Sequence, residues 1–496
     1  MVKLDNDLMA IQNVRLALQE AKTAQAQLEK MTQKQIDEIV GAMARAAEAE
    51  AERLGALAVE ETGYGKPADK KIKNLFVARD VYEAIKDMRT VGIIRRDEGR
   101  KVWEVAQPVG IVAAIIPSTN PTSTVLFKCL IALKARNAIV ISPHPAAVRC
   151  SQESAKVMRD AAERAGAPAG LIHCLSQPSI EAVNELMKHK LTDLILATGG
   201  TAMVKAAYSS GKPAYGVGPG NVPVYIHRSA DTSKAARLIM QSKTFDWGTI
   251  CASEQALVVD QAVKDRFVGE LKRQGAHFLN EQDKRKVGAI LMIGKGLNPK
   301  VVGKSPQVIA GMAGITVPEG AKVLIAEETA VGLEHPLSIE KLSPVLALYT
   351  VNDWQEGCRR CIELLELGGL GHTLGIHCED LPVIEAFGLE KPASRIVVNA
   401  GTTFGGIGAT TGILPSMTLG CGSFGNNITS DNIGPQHLLN IKRVAFGIRD
   451  MVTEDGEAVK AAERVEKTLA TRSDLGISRE EVMQIVKSVL SEMQAK

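Results

Sequence analysis

The chain has 496 residues, of which 45% are hydrophobic, 23% charged and only 4% aromatic, and its formal net charge is +3. A chain of this length can bury a large core and accommodates two or three domains of about 150 residues each. The small net charge and the absence of a long Lys/Arg run argue against nucleic-acid binding. Apolar runs such as residues 109–117 are shorter than the roughly 20 residues of a membrane span. Because residues 1–20 contain no apolar signal-peptide core, we expect a cytoplasmic protein without a membrane anchor.

The eight cysteines are scattered singly along the sequence. In the absence of a secretion signal we expect free thiols, not a disulfide framework. Cys358 and Cys361 form a C-x-x-C motif, which serves redox chemistry or zinc binding in other proteins. A second pair of zinc ligands is lacking, however, so we expect two thiols one turn apart on a helix over residues 354–367 and no metal site.

The N-terminal part of the sequence is typical of helices. A break at residues 31–32 divides residues 5–61, and Thr32 with Gln35 predicts a capping box at the start of the second helix. A further helix is predicted to end near residue 85. Residues 91–106 alternate in polarity on both sides of an Asp-Glu-Gly turn, which predicts a β-hairpin.

From residue 110 onward, short apolar strands alternate with helices. This alternation predicts mostly parallel, doubly wound sheets. The Gly-rich residues 401–425 are expected to form a loop. The predicted strands cover residues 111–116, 138–141, 172–175, 194–197, 222–226, 254–259, 345–349, 373–376 and 395–399, and the clearest helices residues 122–134 and 146–165.

The C-terminal end has a different pattern. Residues 453–475 are charged and Ala-rich, which predicts a linker. Ser478 and Glu481 then form a capping box, and apolar residues follow at helical spacing. Such a helix docks on a partner or folds back on its own domain, and the composition leaves both open. The stripe consists of Val482, Ile485, Val486, Val489, Leu490 and Met493.

The segment most suggestive of chemistry is residues 245–255, with the sequence FDWGTICASEQ. Gly248 and Thr249 place Cys251 just after a tight turn, where backbone N–H groups can stabilise an exposed thiolate. A single cysteine is also commonly a small buried core residue. The spacing alone leaves both interpretations open.

The segment around Cys251 resembles the cysteine motif of the CoA-acylating branch of the aldehyde dehydrogenase superfamily. The resemblance covers about residues 5–450 and implies an α/β fold, with two doubly wound α/β domains and a β-hairpin oligomerisation arm. Six further segments resemble that branch in the same order: residues 108–124, 197–204, 216–226, 340–349, 369–373 and 418–427.

The resemblance also implies a division of the chain. Residues 1–90 would form the N-terminal helices of the cofactor domain, 91–107 the oligomerisation arm, 108–226 the nucleotide-binding domain, 227–413 the catalytic domain, 414–450 a return segment, 451–477 a linker and 478–496 an amphipathic targeting helix.

In this family Cys251 would attack an aldehyde carbonyl, while the Asn120 amide and the Cys251 backbone N–H would hold the oxyanion. Hydride would pass to a nicotinamide and leave a cysteine thioester. Hydrolytic relatives carry a Glu general base at the position of Gly216, and losing such a base costs about 10²–10⁴ in rate. Gly216 is therefore expected to favour transfer to coenzyme A and to free space for it. His372 matches a His that assists the thiol, or is a structural His between strands.

The resemblance also implies which residues bind the cofactor, except for those that would contact the adenosine ribose. Residues 142–145 replace a Lys-Pro-x-Glu segment that binds the adenosine ribose in hydrolytic members, which leaves NAD versus NADP open, with NAD favoured. Residues 420–425 spell G-x-G-x-x-G but follow no clear strand, so we do not expect a dinucleotide fingerprint there. The expected cofactor residues are Pro117, Ser118, Ser142, Pro143, His144, Thr198, Gly199, Gly200, Thr201, Val217, Gly218, Glu340 and Leu342.

The substrate is expected to be acetaldehyde or propionaldehyde, with sulfoacetaldehyde or succinate semialdehyde as alternatives. Trp247 and Phe404 are candidates for the acyl-pocket wall. Hydrolytic oxidation to the free acid and an inactive scaffold are the competing functions. Residues 478–496 resemble the encapsulation peptides of bacterial microcompartment cargo, which implies a shell protein or other cargo as partner. The hairpin arm implies a homodimer or homotetramer.

Overall fold

The computed structural model describes residues 5–294, 296–449, 459–461, 463–465, 467 and 478–494. They fall into two compact units. The first comprises the residues up to Ile94 together with Ala106–Lys442, and the second Arg95–Val105 together with the residues from Arg443 onward.

The helices of the described residues are numbered α1 to α17 in chain order. A π-helical turn, Val77–Val81, joins α4 to α5. The bounds of α1 to α17 are Asn6–Leu28, Gln33–Ala49, Ala51–Thr62, Pro67–Phe76, Tyr82–Ile85, Pro121–Lys134, Val148–Arg164, Ile180–Lys188, Thr201–Tyr208, Thr232–Thr244, Lys264–Arg273, Glu281–Leu291, Pro306–Ala313, Trp354–Leu367, Leu381–Glu390, Thr402–Gly406 and Arg479–Gln494.

The strands of the described residues are numbered β1 to β17 in the same way. Their bounds are Gly92–Asp97, Val102–Pro108, Ile111–Ile115, Ala138–Ser142, Ile172–Cys174, Leu194–Thr198, Ala214–Val217, Val222–Ile226, Glu254–Asp260, Ala276–Phe278, Met292–Ile293, Gly296–Leu297, Val323–Glu327, Val345–Val351, Gly371–His377, Ala393–Val398 and Leu439–Ala445.

A five-stranded parallel sheet has the order β5-β4-β3-β6-β7. Its strands are almost wholly buried because helices cover both faces, which explains their continuous apolar runs. The chain passes from β3 to β4 on one side and later to β6 on the other. Such a switch point opens a crevice at the carboxyl ends of the strands, where nucleotides bind in open α/β sheets.

A seven-stranded parallel sheet has the order β10-β13-β14-β9-β8-β15-β16. Cys251 comes just before β9, His372 is the second residue of β15, and Glu340 precedes β14. Because all these strands run in the same direction, their amino ends share one edge of the sheet. The three residues are therefore gathered at this edge although up to 121 positions separate two of them.

The predicted N-terminal helices are confirmed. Thr32 accepts a hydrogen bond from the Gln35 backbone N–H, and the Gln35 side chain accepts one from the Thr32 N–H, as a capping box requires. The predicted hairpin forms β1 and β2, and β17 joins them in a sheet of order β1-β2-β17. The third strand of this sheet was not predicted.

Three parts of the sequence interpretation were wrong. The strands β7 and β10 to β13 were missed because runs of two to five residues are too short to show a clear apolar pattern. Residues 401–425 are not entirely loop, since α16 lies within them. Residues 222–226, assigned above to the nucleotide-binding domain, form β8 and pair with β9 and β15 in the other sheet.

The capping box of the C-terminal helix is confirmed, because the Ser478 N–H donates to Glu481 Oε2 at 2.8 Å. On this helix Ile485 and Val489 are exposed and Val482 is buried. The predicted linker, residues 451–477, lies largely outside the described residues, and its described residues are helical. Among the helices that the structure describes, none has the length and apolar character needed to cross a bilayer.

Candidate active site

Cys251 sits at the end of a strained turn, as the sequence predicted. The turn Phe245–Gly248 follows α10, and Asp246, Trp247 and Gly248 all have positive φ angles of 47°, 51° and 71°. Two consecutive non-glycine residues in this region are costly and persist only where the surroundings hold them. The turn brings partly exposed Cys251 to the wall of a cavity of about 230 Å³.

His372 is directly beside the thiol. Its Nε2 lies 3.2 Å from the Sγ of Cys251, and its Nδ1 lies 3.0 Å from the hydroxyl of Thr373. The Thr373 oxygen also accepts a hydrogen bond from Nε of Arg395, a buried side chain that donates to the carbonyl oxygens of His372 and Gly420 as well. The imidazole is therefore oriented by a second layer of polar groups.

The electrostatics of this pair favour neutral side chains at rest. Burial raises the pKa of Cys251 to about 12, and the carboxyl group of Glu340 adds to the shift. Burial and, to a smaller extent, the guanidinium of Arg395 lower the pKa of His372 to about 3. The resting site therefore holds a thiol and a neutral imidazole in contact with each other.

Asn120 lies where the sequence interpretation requires it. It follows β3 as the N-cap residue of α6 and lines the same cavity as Cys251. Its Nδ2 donates to the carbonyl of Thr249 at 3.2 Å and to the Thr119 hydroxyl at 3.1 Å. Its Oδ1 accepts a hydrogen bond from the buried ammonium of Lys73. The amide nitrogen thus faces the segment that carries the thiol.

Glu340 is held by the backbone close to the thiol. Its Oε1 accepts a hydrogen bond from the Gly220 N–H at 2.8 Å, and burial raises its pKa to about 7. A Cβ atom at Gly220 would lie 2.5 Å from the carbonyl oxygen of Cys251 and 3.1 Å from the ring of His372. Only glycine allows the backbone to approach the pair this closely.

The expectation that Gly216 frees space for coenzyme A was wrong. A Cβ atom at Gly216 would lie 2.8 Å from a methyl group of Val204 and 2.9 Å from the ring of Tyr208, so this position faces α9 and not the cavity. Open space exists instead at Gly218, which lines the cavity. Both positions are glycines and carry no carboxylate. Of the described residues that line the cavity, Glu340 alone is acidic.

A second cavity, of about 580 Å³, lies at the carboxyl edge of the five-stranded sheet. The described residues that line it are all uncharged. The hydroxyl oxygens of Ser142 and Thr198 are buried there without a hydrogen-bond partner among the described residues. Orphaned polar atoms of this kind fit a bound ligand with hydroxyl and phosphate groups.

The two cavities bring together every expected cofactor residue except Thr201, which begins α9. His144 lines both, and its Nδ1 accepts a hydrogen bond from the Ala146 N–H, so that in the neutral ring Nε2 carries the proton. Sequence reasoning missed the apolar wall formed by α8 and α9, for which the amphipathic pattern of α8 was the available signal. That wall includes Ile180, Val183, Met187, Ala202 and Met203.

The G-x-G-x-x-G segment and the C-x-x-C motif both make contacts within the fold. Residues 420–425 are a loop, in which Arg395 binds the Gly420 carbonyl, and no strand leads into them. Cys358 and Cys361 are buried on α14, as expected, and Cys358 contacts Lys391. Among the described residues no group of three or more His, Cys, Asp or Glu side chains is arranged to hold a metal ion.

Comparisons with known proteins show the family to which the chain belongs. Residues 7–302 match the model of the aldehyde dehydrogenase family. The aldehyde-alcohol dehydrogenase of Clostridium acetobutylicum is 45% identical over 429 residues, which cover 86% of this chain and 50% of the relative. The chain thus spans about half the length of such curated relatives.

Two solved structures are similar over almost their whole length. An acetylating aldehyde dehydrogenase from Geobacillus thermoglucosidasius is 67% identical with a TM-score of 0.90, covering 91% of this chain and 100% of the other. A propionaldehyde dehydrogenase from the fucose utilisation microcompartment of Clostridium phytofermentans is 28% identical with a TM-score of 0.79, covering 87% and 97%.

Proposed function

The chain belongs to the aldehyde dehydrogenase family, as its ordered motifs predicted, and on this premise we propose that it is a CoA-acylating aldehyde dehydrogenase. It oxidises a short-chain aldehyde, acetaldehyde or propionaldehyde, and transfers the acyl group to coenzyme A. The observation that carries this proposal is the 3.2 Å contact between Cys251 Sγ and His372 Nε2. The nucleophile is in contact with its base and lines the cavity that Asn120, the oxyanion donor, also lines.

The acylation half of the reaction uses the thiol, the imidazole and the amide. Cys251 Sγ forms a bond to the aldehyde carbon while His372 Nε2 takes its proton. In the tautomer that this step requires, the Nδ1–H of His372 donates to Thr373 Oγ1, which keeps Nε2 free. The carbonyl oxygen becomes an oxyanion that Asn120 Nδ2 and the Cys251 N–H stabilise, an interaction typically worth about 10²–10³ in rate.

The polar groups at the carboxyl edge of the five-stranded sheet fit a nicotinamide dinucleotide. Ser142, His144 and Thr198 would contact its riboses and phosphates, and Glu340 the nicotinamide ribose. A bound nicotinamide supplies a hydride acceptor, so that the thiohemiacetal becomes a thioester on Cys251. Because no lysine or arginine lines the second cavity within the described chain, we propose NAD in preference to NADP, whose additional phosphate favours a cation.

The deacylation half favours a thiol over water. The carboxylate that could activate water, Glu340, is tied to the Gly220 N–H. The proton that His372 took from Cys251 first leaves to solvent, as the proton released together with NADH. The free Nε2, which lies beside the thioester, can then take the proton of an incoming thiol. The thiol sulfur adds to the thioester carbon, and the tetrahedral intermediate collapses with Cys251 as the leaving group. The proton on His372 then returns to the Cys251 thiolate.

Trapping the acyl-enzyme tests this proposal. The protein is incubated with NAD and propionaldehyde in the absence of coenzyme A, and its mass is measured intact and after digestion. We expect one propionyl group on the Cys251 peptide, released as propionyl-CoA when coenzyme A is added. Cys251→Ala is the control and must remain unmodified. A wild-type protein that never carries an acyl group while it turns over would contradict the proposal.

We also propose that residues 478–496 target the enzyme to a bacterial microcompartment and that the hairpin arm supports a homodimer or homotetramer. The capped helix with exposed Ile485 and Val489 supports the first part, since an apolar helix face suits a groove on a partner. Similarity to a microcompartment propionaldehyde dehydrogenase also supports it. A fluorescent protein fused to residues 477–496 should co-localise with shells, and diffuse fluorescence in shell-producing cells would contradict targeting.

A further inference from the structure

A buried cluster of charged side chains contacts Asn120 and the residue before it. It consists of Lys70 and Lys73, one turn apart on α4, and Asp246 from the strained turn before Cys251. All three side chains are at most 1% exposed. Both ammonium groups contact the same carboxylate oxygen, Oδ2 of Asp246.

The two lysines differ in what else they contact. Lys70 donates to the Thr119 carbonyl oxygen at 2.6 Å. Lys73 instead contacts Oδ1 of Asn120 and lies 3.3 Å from the hydroxyl of Thr249. Within the cluster only Lys73 therefore reaches the amide of the oxyanion donor.

This contact decides which end of the amide faces the thiol. An ammonium group has three donors and no acceptor, so the amide atom in contact with Lys73 must be the oxygen. The nitrogen of Asn120 is then directed to the other side, where it donates to the Thr249 carbonyl oxygen at 3.2 Å, two residues before Cys251. With the amide turned over, its oxygen would face the developing oxyanion and repel it.

The cluster also carries more positive than negative groups. Burial alone would raise the pKa of Asp246, but the Lys73 and Lys70 ammoniums outweigh it and lower that pKa to about 2. Burial lowers the pKa of Lys73 to about 7 against the opposing effect of the Asp246 carboxylate, so the positive charge beside Asn120 is present below about pH 7 and is lost above it. A positive charge on the oxygen of an amide also polarises its N–H groups, which strengthens them as donors in a site of low dielectric constant.

We propose that Lys73 is a positioning residue of the reaction, whose ammonium fixes and polarises the Asn120 amide so that its nitrogen stabilises the oxyanion. The inference rests on the proposed function, because it assigns Lys73 a role in that reaction. Lys73 acts through the Asn120 amide, whose oxygen its ammonium contacts. Asp246 holds the lysine in place and, through its 2.6 Å hydrogen bond from Thr249, connects it to the Cys251 segment.

A double-mutant cycle tests the role of Lys73. Single-turnover and steady-state NADH formation from propionaldehyde are measured for the wild type, Lys73→Met, Asn120→Ala and the double variant. We expect Asn120→Ala to lose about 10²–10³ in kcat. Lys73→Met should lose about 10- to 100-fold in kcat, with the KM for propionaldehyde changed less than about threefold. The double variant should be no slower than Asn120→Ala alone, because no amide remains to be oriented.

Lys70→Met is the matched control, since it removes an equally buried ammonium from the same carboxylate without touching the amide. Lys70→Met should lower kcat less than Lys73→Met does. The loss of kcat that Lys70→Met causes should also be seen when Asn120 is replaced by Ala. Equal losses in the two lysine variants, or a Lys73→Met loss that persists in the Asn120→Ala background, would overturn the inference. If circular dichroism shows that Lys73→Met does not fold, Lys73→Gln replaces it in the cycle with the same two criteria, and a Lys73→Gln variant with wild-type kcat also overturns it.

The outcomes separate this inference from the proposed function. If the wild type is active and the losses of kcat in Lys73→Met and Asn120→Ala add in the double variant, only the role of Lys73 is contradicted. A wild type that forms no NADH from any short aldehyde overturns the proposed function and this inference with it.

Discussion

The Nε2 atom of His372 lies 3.2 Å from the Sγ atom of Cys251, and burial keeps both side chains neutral in the resting enzyme. The pair therefore differs from a preformed thiolate–imidazolium pair. Its nucleophile is generated when the aldehyde carbonyl arrives and the proton moves to the imidazole. A neutral thiol is also protected from side reactions while the enzyme waits for substrate.

The pH dependence of thiol alkylation checks this protonation state. The pKa of Cys251 is about 12, so between pH 7 and 9 the thiolate fraction and the alkylation rate should rise about tenfold per pH unit. The cofactor-free protein is treated with iodoacetamide, and the Cys251 peptide is quantified by mass spectrometry. A rate that is already constant near pH 7 would instead show a thiolate–imidazolium pair.

Gly220→Ala tests the close approach of the backbone to the catalytic pair. The added methyl group would meet the Cys251 carbonyl oxygen at 2.5 Å and the His372 ring at 3.1 Å. We expect kcat to fall at least about 100-fold, because the thiol and the base would no longer be held at reacting distance. Gly311→Ala is the control, since a Cβ atom there meets open space. A Gly220→Ala variant with near wild-type kcat would show that the approach is not required.

Phe404→Ala tests the acyl-pocket wall. Phe404 packs edge-on against Phe245, with ring centroids 4.9 Å apart, and both line a cavity of about 330 Å³. Ile407 lines this cavity and also the one that contains Cys251. Removing the ring should raise kcat/KM for hexanal relative to acetaldehyde by about tenfold or more, since each methylene in an apolar pocket is worth about 1–3 kcal/mol. An unchanged ratio would place the acyl chain elsewhere.

Trp247, the other candidate for this wall, has a different role. It lines none of the three cavities of about 230, 580 and 330 Å³, and the Lys66 ammonium lies 4.6 Å from its ring centroid. The Phe404→Ala comparison can therefore be repeated with Trp247→Phe as its control, in which the chain-length ratio should not change.

The sequence was informative where a role depends on a local motif. Cys251, Asn120 and His372 were found because each stands in its own recognisable segment, and parallel strands then bring these segments to neighbouring sheet edges. Lys73 was missed because its partner Asp246 is 173 positions away and nothing in either segment signals the pairing. Buried ion pairs of this kind are a property of tertiary packing.

The error at Gly216 has a similar cause. The direction of a side chain on a strand depends on which face packs against a helix, and β7 itself was not predicted. Once β7 is placed against α9, the side of Gly216 that a carboxylate would occupy is filled by Val204 and Tyr208. The absence of a base was readable from the sequence, but the location of the open space was not.

The most direct test of the account is NADH formation from acetaldehyde and propionaldehyde with and without coenzyme A, with Cys251→Ala as the control. The account predicts sustained turnover only with coenzyme A, at most one NADH per active site without it, and no turnover of Cys251→Ala. Equal steady-state rates with and without coenzyme A would contradict it, because water would then release the acyl group at a site where no free carboxylate was found to activate it.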